Sequence, residues 1–333
     1  MDLLLSQAIT DYLAHKRAVG YKFNSLRNHE RALRYLFQVV GEMPVREVGM
    51  SQMTAFFEHR QQLDGASTLN NHRAALAVFF KWAVASGNMP AGSDPLHGFT
   101  RNKVMPGKHL RIPASKFDEL LNAAEDPRDR MMVALGLYLF LRGSEIQELR
   151  MRDVDLEHHE MHVMVEKTSQ RDIMPICEEL AQELRRWHRE YRSQVAKLGP
   201  NDYLIPAQVM MPYQGTLRGV LVPGRPHPQG YRNIQRALER AGWAIRDENG
   251  KSLREGQHTL RRSGARALFD ERLKDGYDGA LRQVQAMLHH STGAMTEKYL
   301  GIDIDSYARN RAIGGRAMFK DLRVNVRHLQ VAS

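Results

Sequence analysis

Residues 87 to 115 read GNMPAGSDPLHGFTRNKVMPGKHLRIPAS, and no single regular element can pass through them. Pro90, Pro95, Pro106 and Pro113 each lack the N–H that a helix interior or an inner strand needs, and Gly87, Gly92, Gly98 and Gly107 favour turns. Helical periodicity precedes the stretch and a different pattern follows it, so it divides the chain. At 333 residues the chain is also longer than one hydrophobic core ordinarily holds. The expected organisation is a helical domain over residues 1–98, a basic linker over 99–112, a second domain over 113–310 and a tail over 311–333.

Up to about residue 86, apolar residues recur three and four apart with basic residues between them. SLRNHERALRYLFQVV sends Leu26, Leu33, Leu36 and Phe37 towards a core and leaves Arg27, Arg31 and Arg34 elsewhere around the helix. STLNNHRAALAVFFKWAVASG repeats the design with Leu69, Leu76, Phe79, Phe80 and Ala83, carries Arg73, and ends at Gly87, which suits a C-cap. A bundle of about four helices is expected.

Charge then asks for a partner. Lys plus Arg is 48 against 38 Asp plus Glu, a net +10, which suits a polyanion because cationic faces release counterions from phosphate backbones. The blander reading is a soluble protein with a basic surface. Arg101, Lys103, Lys108 and Arg111 make the linker basic as well, fit to lie along a polyanion or simply to stay solvated. The lone Cys177 excludes an intramolecular disulfide and a multi-cysteine zinc site. With Asp2 in place of a basic leader, and no apolar run long enough for a membrane span, a cytoplasmic protein is expected.

Beyond the linker, helical signals begin at Ser115 and reach the apolar run MMVALGLYLFL, residues 131–141. MHVMVEKTSQRDIMPI then alternates, with Met161, Val163 and Val165 on one face and His162, Met164 and Glu166 on the other, which predicts a hairpin. Helical pattern resumes from Arg232. The fold class expected is mainly α with a small antiparallel β-sheet in the second domain.

Several mechanisms drop out. There is no GxxxxGK[ST] loop to drive a nucleotide-powered engine. HHEMH, residues 158–162, lacks the HExxH spacing of a zinc helix, so neither metal nor cofactor is expected. What remains is a set of cationic and nucleophilic positions. In FLRGSEIQELR an apolar helix runs into Arg142, and Ser144 with Gln147 suits a capping box; the guanidinium there needs an anion, either a ligand or an internal partner such as Glu145. In QHTLRRSGARALF, His258 and Arg261 stand three apart, about 60° on a helical wheel, and can grip an oxyanion together or simply face solvent. Lys167 falls near the hairpin tip, where most lysines are merely solvated. In AMLHHSTGAMTEKYLG, His290 and Tyr299 would lie about 180° apart on one continuous helix. Ser291, Thr292 and Gly293 break that helix, so a new short one can bring the phenol to the imidazole.

Taken in order, these motifs resemble the tyrosine recombinase (phage integrase) family. FLRGSEI is similar to its first arginine box, VEKTSQRDIMPI to its hairpin lysine segment, HTLRRSGA to its HxxR box, and MLHHSTGAMTEKYLG to the stretch from the last histidine to the nucleophile. The helical bundle and RIPASKFDEL are similar to its core-binding (SAM-like) domain and the start of its catalytic domain. The resemblance implies a two-domain, C-shaped clamp on double-stranded DNA, assembled as a tetramer or with a related recombinase. It implies a catalytic set of Arg142, Lys167, His258, Arg261, His290 and Tyr299, with Tyr299 the nucleophile. It also implies strand cutting and rejoining through a 3′-phosphotyrosine without metal or ATP, in the integration, excision or resolution of mobile DNA. Arg27, Arg31, Arg34, Arg73, Arg101, Lys103 and Lys108 are the expected DNA-binding residues, and the tail is expected to dock on a neighbouring protomer or fold back. One departure stands out: the family usually has glycine before its last histidine, and here that residue is His289, although the spacing to Tyr299 favours His290. The alternatives are an inactive DNA-binding accessory protein and a relaxing enzyme of the type IB topoisomerase kind.

Overall fold

The computed structural model describes residues 2–104, 110–165, 170–228, 231–243 and 255–302. Lys108, Lys167 and the tail 311–333 therefore lie outside the described residues. The chain parts into two compact units, Met1–Lys108 and His109–Ser333.

The first unit is built on four helices, α1 (Leu5–Ala18), α2 (Phe23–Val40), α3 (Met50–Gln61) and α4 (Ala66–Ala85). Leu33 and Leu36 of α2 and Leu69, Leu76, Phe79, Phe80 and Ala83 of α4 are buried in one cluster, with Leu26 and Phe37 packed at its edge. Each large side chain buried in this way stabilises by roughly 1.5–3 kcal/mol. Past the end of α4, Gly87 takes a left-handed φ of 74°, and the Asn88 N–H donates to the Ala83 carbonyl at 2.8 Å. This wrap-around bond is the helix stop that the glycine promised. The start of the proline-rich stretch is fastened to α4. Asn70 exchanges two hydrogen bonds with the backbone of Asn102, at 3.0 and 2.8 Å, and Arg73 donates to the Phe99 carbonyl at 2.5 Å. Side chains thus satisfy backbone groups that no regular element serves.

The second unit opens with α5 (Phe117–Ala123) and α6 (Pro127–Tyr138), followed by the short α7 (Gly143–Glu148). Asp126 caps α6 by accepting the Arg128 N–H at 2.8 Å, and Pro127 fits the first turn, where its missing N–H is not needed. A three-stranded antiparallel sheet follows, in the order β1 (Val154–Asp155), β2 (Glu160–Val165), β3 (Gln170–Pro175). Met161, Val163 and Val165 are buried, as their alternation predicts. Val165 pairs with Gln170 at the end of the ladder. Helix α8 (Glu178–Gln194) lays Leu180, Leu184, Trp187 and Tyr191 into the same core.

Between α8 and α9 (Tyr231–Arg240) lies a second antiparallel hairpin, β4 (Pro206–Tyr213) and β5 (Thr216–Pro226), which the sequence pattern did not predict. Its turn uses positive φ at Gln214 and Gly215, a two-residue hairpin conformation. The remaining helices are α10 (Gln257–Arg272), α11 (Tyr277–Leu288) and α12 (Gly293–Leu300). Helix α10 lies against α6 so closely that a Cβ on Gly264 would run into the Leu137 carbonyl, and one on Gly136 would meet Leu260. Two glycines thereby set the depth at which α10 presents its polar face.

Candidate active site

The site begins where α6 stops. Phe140 adopts a left-handed φ of 53°, unusual for a bulky residue, and Leu141 leads into Arg142 at the N-cap of α7. The expected cap by Ser144 and Gln147 does not form. The helix starts earlier, and Glu145 caps it by accepting the Arg142 N–H at 2.7 Å. The same carboxylate accepts from the Arg142 guanidinium at 2.7 Å and lies 3.7 Å from that of Arg261. The Glu145 side chain has no exposure to solvent, and its pairing with Arg142 at the N-cap and Arg261 from α10 outweighs the preference for a serine cap. Glu145 is the internal partner foreseen for Arg142, and the shared link to Arg261 is a role that sequence spacing could not reveal.

Helix α10 supplies the next three groups. Arg261 is 1 % exposed; its guanidinium donates to the carbonyls of Phe140 and of Leu288, the latter at 2.7 Å. It thus ties the end of α6 to the end of α11. Burial, then the neighbouring Arg142, pushes its pKa down to about 10, against the pull of Tyr299 and Glu145. His258 keeps an exposed edge, yet its pKa lies below the ordinary histidine value, through partial burial of the ring first and then Arg261, Arg262 and Arg142. A neutral imidazole, able to take a proton, follows at neutral pH. Arg262, 8 % exposed, donates to the Leu110 carbonyl at 3.2 Å, while the Ser263 hydroxyl accepts the Ile112 N–H at 2.9 Å.

The last elements bring the phenol. Helix α11 ends with His289 at φ 53° and ψ 42°, the His289 N–H bonded to Ala286 and the His290 N–H to Gln285. That is the left-handed stop for which glycine is the usual residue. It turns the chain into α12, which Thr292 caps by accepting the Met295 N–H at 3.2 Å. The two rings of interest meet edge to face: His290 and Tyr299 have centroids 5.3 Å apart at 81°, and His290 Nδ1 lies 3.1 Å from the Thr296 hydroxyl. His289 points elsewhere, with Nε2 2.7 Å from the carboxylate of Asp172 on β3.

Tyr299 packs at the rim of a small apolar cluster with Phe140, Leu288 and Leu300. Its hydroxyl is buried and has no hydrogen-bond partner of normal geometry. Burial raises its pKa, while the fields of Arg261, Arg262 and Arg142 act to lower it, and Arg261 is near enough to polarise the phenol. A phenol buried against a guanidinium is exposed to a field that favours its ionised form. Arg142, His258, Arg261, His290 and Tyr299 therefore come together, and Lys167 falls outside the described residues. Arg262 joins them from the structure alone, as does the link between Glu145 and Arg261.

The cationic positions of the first unit stand differently. Arg27, Arg31 and Arg34 form one exposed stripe along α2, and Arg101 and Lys103 are exposed, whereas Arg73 is committed to the Phe99 carbonyl. His158 of the HHEMH segment pairs with Asp155 at 2.8 Å.

Comparison with known proteins gives matches to two families, "Phage integrase family" over residues 111–304 and "Phage integrase, N-terminal SAM-like domain" over residues 8–87. The Tyrosine recombinase XerC of Proteus mirabilis is 25% identical over 298 residues, covering 86% of this chain and 85% of that protein. The Tyrosine recombinase XerC of Mycobacterium sp. (strain JLS) is 29% identical over 334 residues, covering 93% and 97%. Among solved structures, a lambda integrase tetramer bound to a Holliday junction has the same fold, with a TM-score of 0.67 at 16% identity over 91% of this chain and 78% of that one.

Proposed function

The chain belongs to the phage integrase family as a tyrosine-type site-specific recombinase, and on that premise we propose that Tyr299 is the nucleophile that cuts DNA. Its Oη attacks the scissile phosphorus, the bond to the 5′ oxygen breaks, and a 3′-phosphotyrosine forms. Arg142 and Arg261 clamp the non-bridging oxygens, and Glu145 keeps the two forks in register. His290 stands beside the attacking ring, and His258, neutral near pH 7, is suited to receive the phenolic proton. Lys167 is assigned the proton that the departing 5′ oxygen needs. The ester keeps the energy of the broken bond, so a free 5′ hydroxyl of another strand reverses the attack and completes the exchange without ATP.

The observation that carries this reading is the buried Tyr299 hydroxyl set against Arg261, within the fields of Arg262 and Arg142. The first unit, with Arg27, Arg31 and Arg34 on one exposed stripe, is assigned to backbone contacts with duplex DNA. Assembly as a tetramer on paired sites is proposed by analogy with the lambda integrase tetramer. The test is incubation with nicked DNA from the protein's own recombination site, without metal or ATP. A protease-sensitive covalent adduct is expected from wild type and none from Tyr299→Phe; equal adduct from both sinks the assignment.

A further inference from the structure

One contact of the site region serves none of the roles above. His289 occupies a left-handed position, φ 53° and ψ 42°, that the helix stop demands and that a side chain rarely adopts. Its ring does not enter the cluster around Tyr299. It reaches instead to β3, where Nε2 lies 2.7 Å from the Asp172 carboxylate, across 117 residues of chain. The His289 side chain is 14% exposed, and its Nδ1 is buried without a partner, so Asp172 is the polar contact that fixes the ring. Asp172 pairs with Val163 in the middle of the β2–β3 ladder, which runs from Glu160↔Pro175 to Val165↔Gln170. A pull on Asp172 is therefore a pull on the whole hairpin.

We infer that His289 is a positioning residue, which through Asp172 anchors the β2–β3 hairpin to the turn that presents His290 and Tyr299. Glycine would make the turn with less strain, so what the imidazole adds at this position is the contact itself. The consequence lies in the leaving-group half of the reaction. Attack by Tyr299 and protonation of the 5′ oxygen must occur at one phosphate, and they come from segments far apart in sequence. The anchor holds the hairpin in register with the nucleophile turn, so that an acid delivered from the hairpin arrives at the oxygen that departs. This inference rests on the recombinase chemistry proposed above.

The test uses His289→Gly, Asp172→Asn and the double variant of the full chain, on nicked site DNA with either a normal 5′ oxygen or a 5′ sulfur at the scissile bond. Glycine suits the turn, so His289→Gly should fold and melt at least as well as wild type. On the oxygen substrate each single variant should cleave on the order of tenfold more slowly, a fraction of what a placed general acid supplies. The double variant should be no slower than the singles, as for two halves of one contact. On the sulfur substrate, whose thiolate leaves without a proton, all three should match wild type. Wild-type rates for His289→Gly on the oxygen substrate, additive losses, or a defect that persists with sulfur would each overturn the inference. Failure of the underlying reading looks different: wild type would then form no adduct on either substrate.

Discussion

Replacing Glu145 by glutamine removes one negative charge and almost no volume, at the point where two guanidiniums meet. The carboxylate is fully buried, bonded to Arg142 at 2.7 Å and 3.7 Å from Arg261. It also accepts the Arg142 N–H at the start of α7. Breaking a buried pair by neutralising one partner costs about 3–5 kcal/mol when the other charge is left alone. Glutamine retains one acceptor oxygen, and Arg142 keeps some access to water, with its side chain 13% exposed. About 2–3 kcal/mol is therefore expected, which for a unit of this size lowers Tm by roughly 5–10 °C. Thermal melting monitored by circular dichroism reads the loss. A second arm identifies its cause: inorganic sulfate should stabilise Glu145→Gln more than wild type, because an anion bound at the solvent-open edge of Arg142 supplies counter-charge that the variant lacks. Adduct formation on nicked DNA should fall by at least about tenfold as the forks lose their register. A Tm within a degree of wild type, or equal stabilisation of both proteins by sulfate, would refute the claim that Glu145 is the counter-charge of the pair.

Alkaline pH offers an independent check on the cores. Burial raises the pKa of Tyr12, Tyr138 and Tyr191 above the ordinary phenol value, Tyr138 to about 12. The folded state thus binds protons that the unfolded chain releases from about pH 10 upward; stability is fully present below pH 10 and falls above it, by about 1.4 kcal/mol per unit for each such group. Denaturant midpoints from pH 8 to 11 should be flat and then drop, and Tyr138→Phe should soften the drop. In the first unit, changing Arg27, Arg31 and Arg34 together to glutamine should weaken DNA binding equally for site and non-site sequences. The salt-dependence slope, read by fluorescence anisotropy, should shrink by about one for every phosphate that the variant no longer neutralises. Gly264→Ala should cost roughly 1–3 kcal/mol in a denaturant melt, because the added methyl meets the Leu137 backbone and forces α10 away from α6.

What could be read in advance divides along a physical line. The periodic helices α2 and α4 were legible because burial repeats at the helical spacing, and Gly87 because a left-handed stop has few alternatives. The pair His258 and Arg261 could be placed on one face by arithmetic, and the break at Ser291–Gly293 announced the helix that carries Tyr299. The hairpin β4–β5 was hidden because Met210 and Met211 stand side by side and both are exposed, so the alternation that betrays a half-buried strand is absent. Its one clue was the Gln214–Gly215 pair in the turn. Ser144 misled for the opposite reason: its local capping signal is sound, but Glu145 is held by Arg142 at the N-cap and by Arg261 from α10, and that charge pairing decided where α7 begins. His289 was the hardest case. The sequence posed it as a choice between neighbouring histidines for one role, and the backbone separates them, since a left-handed residue at a helix stop throws its side chain away from that of the next. His290 turns to Tyr299 and His289 to Asp172, so a doublet that looked redundant reaches two different segments of the catalytic unit from a single turn.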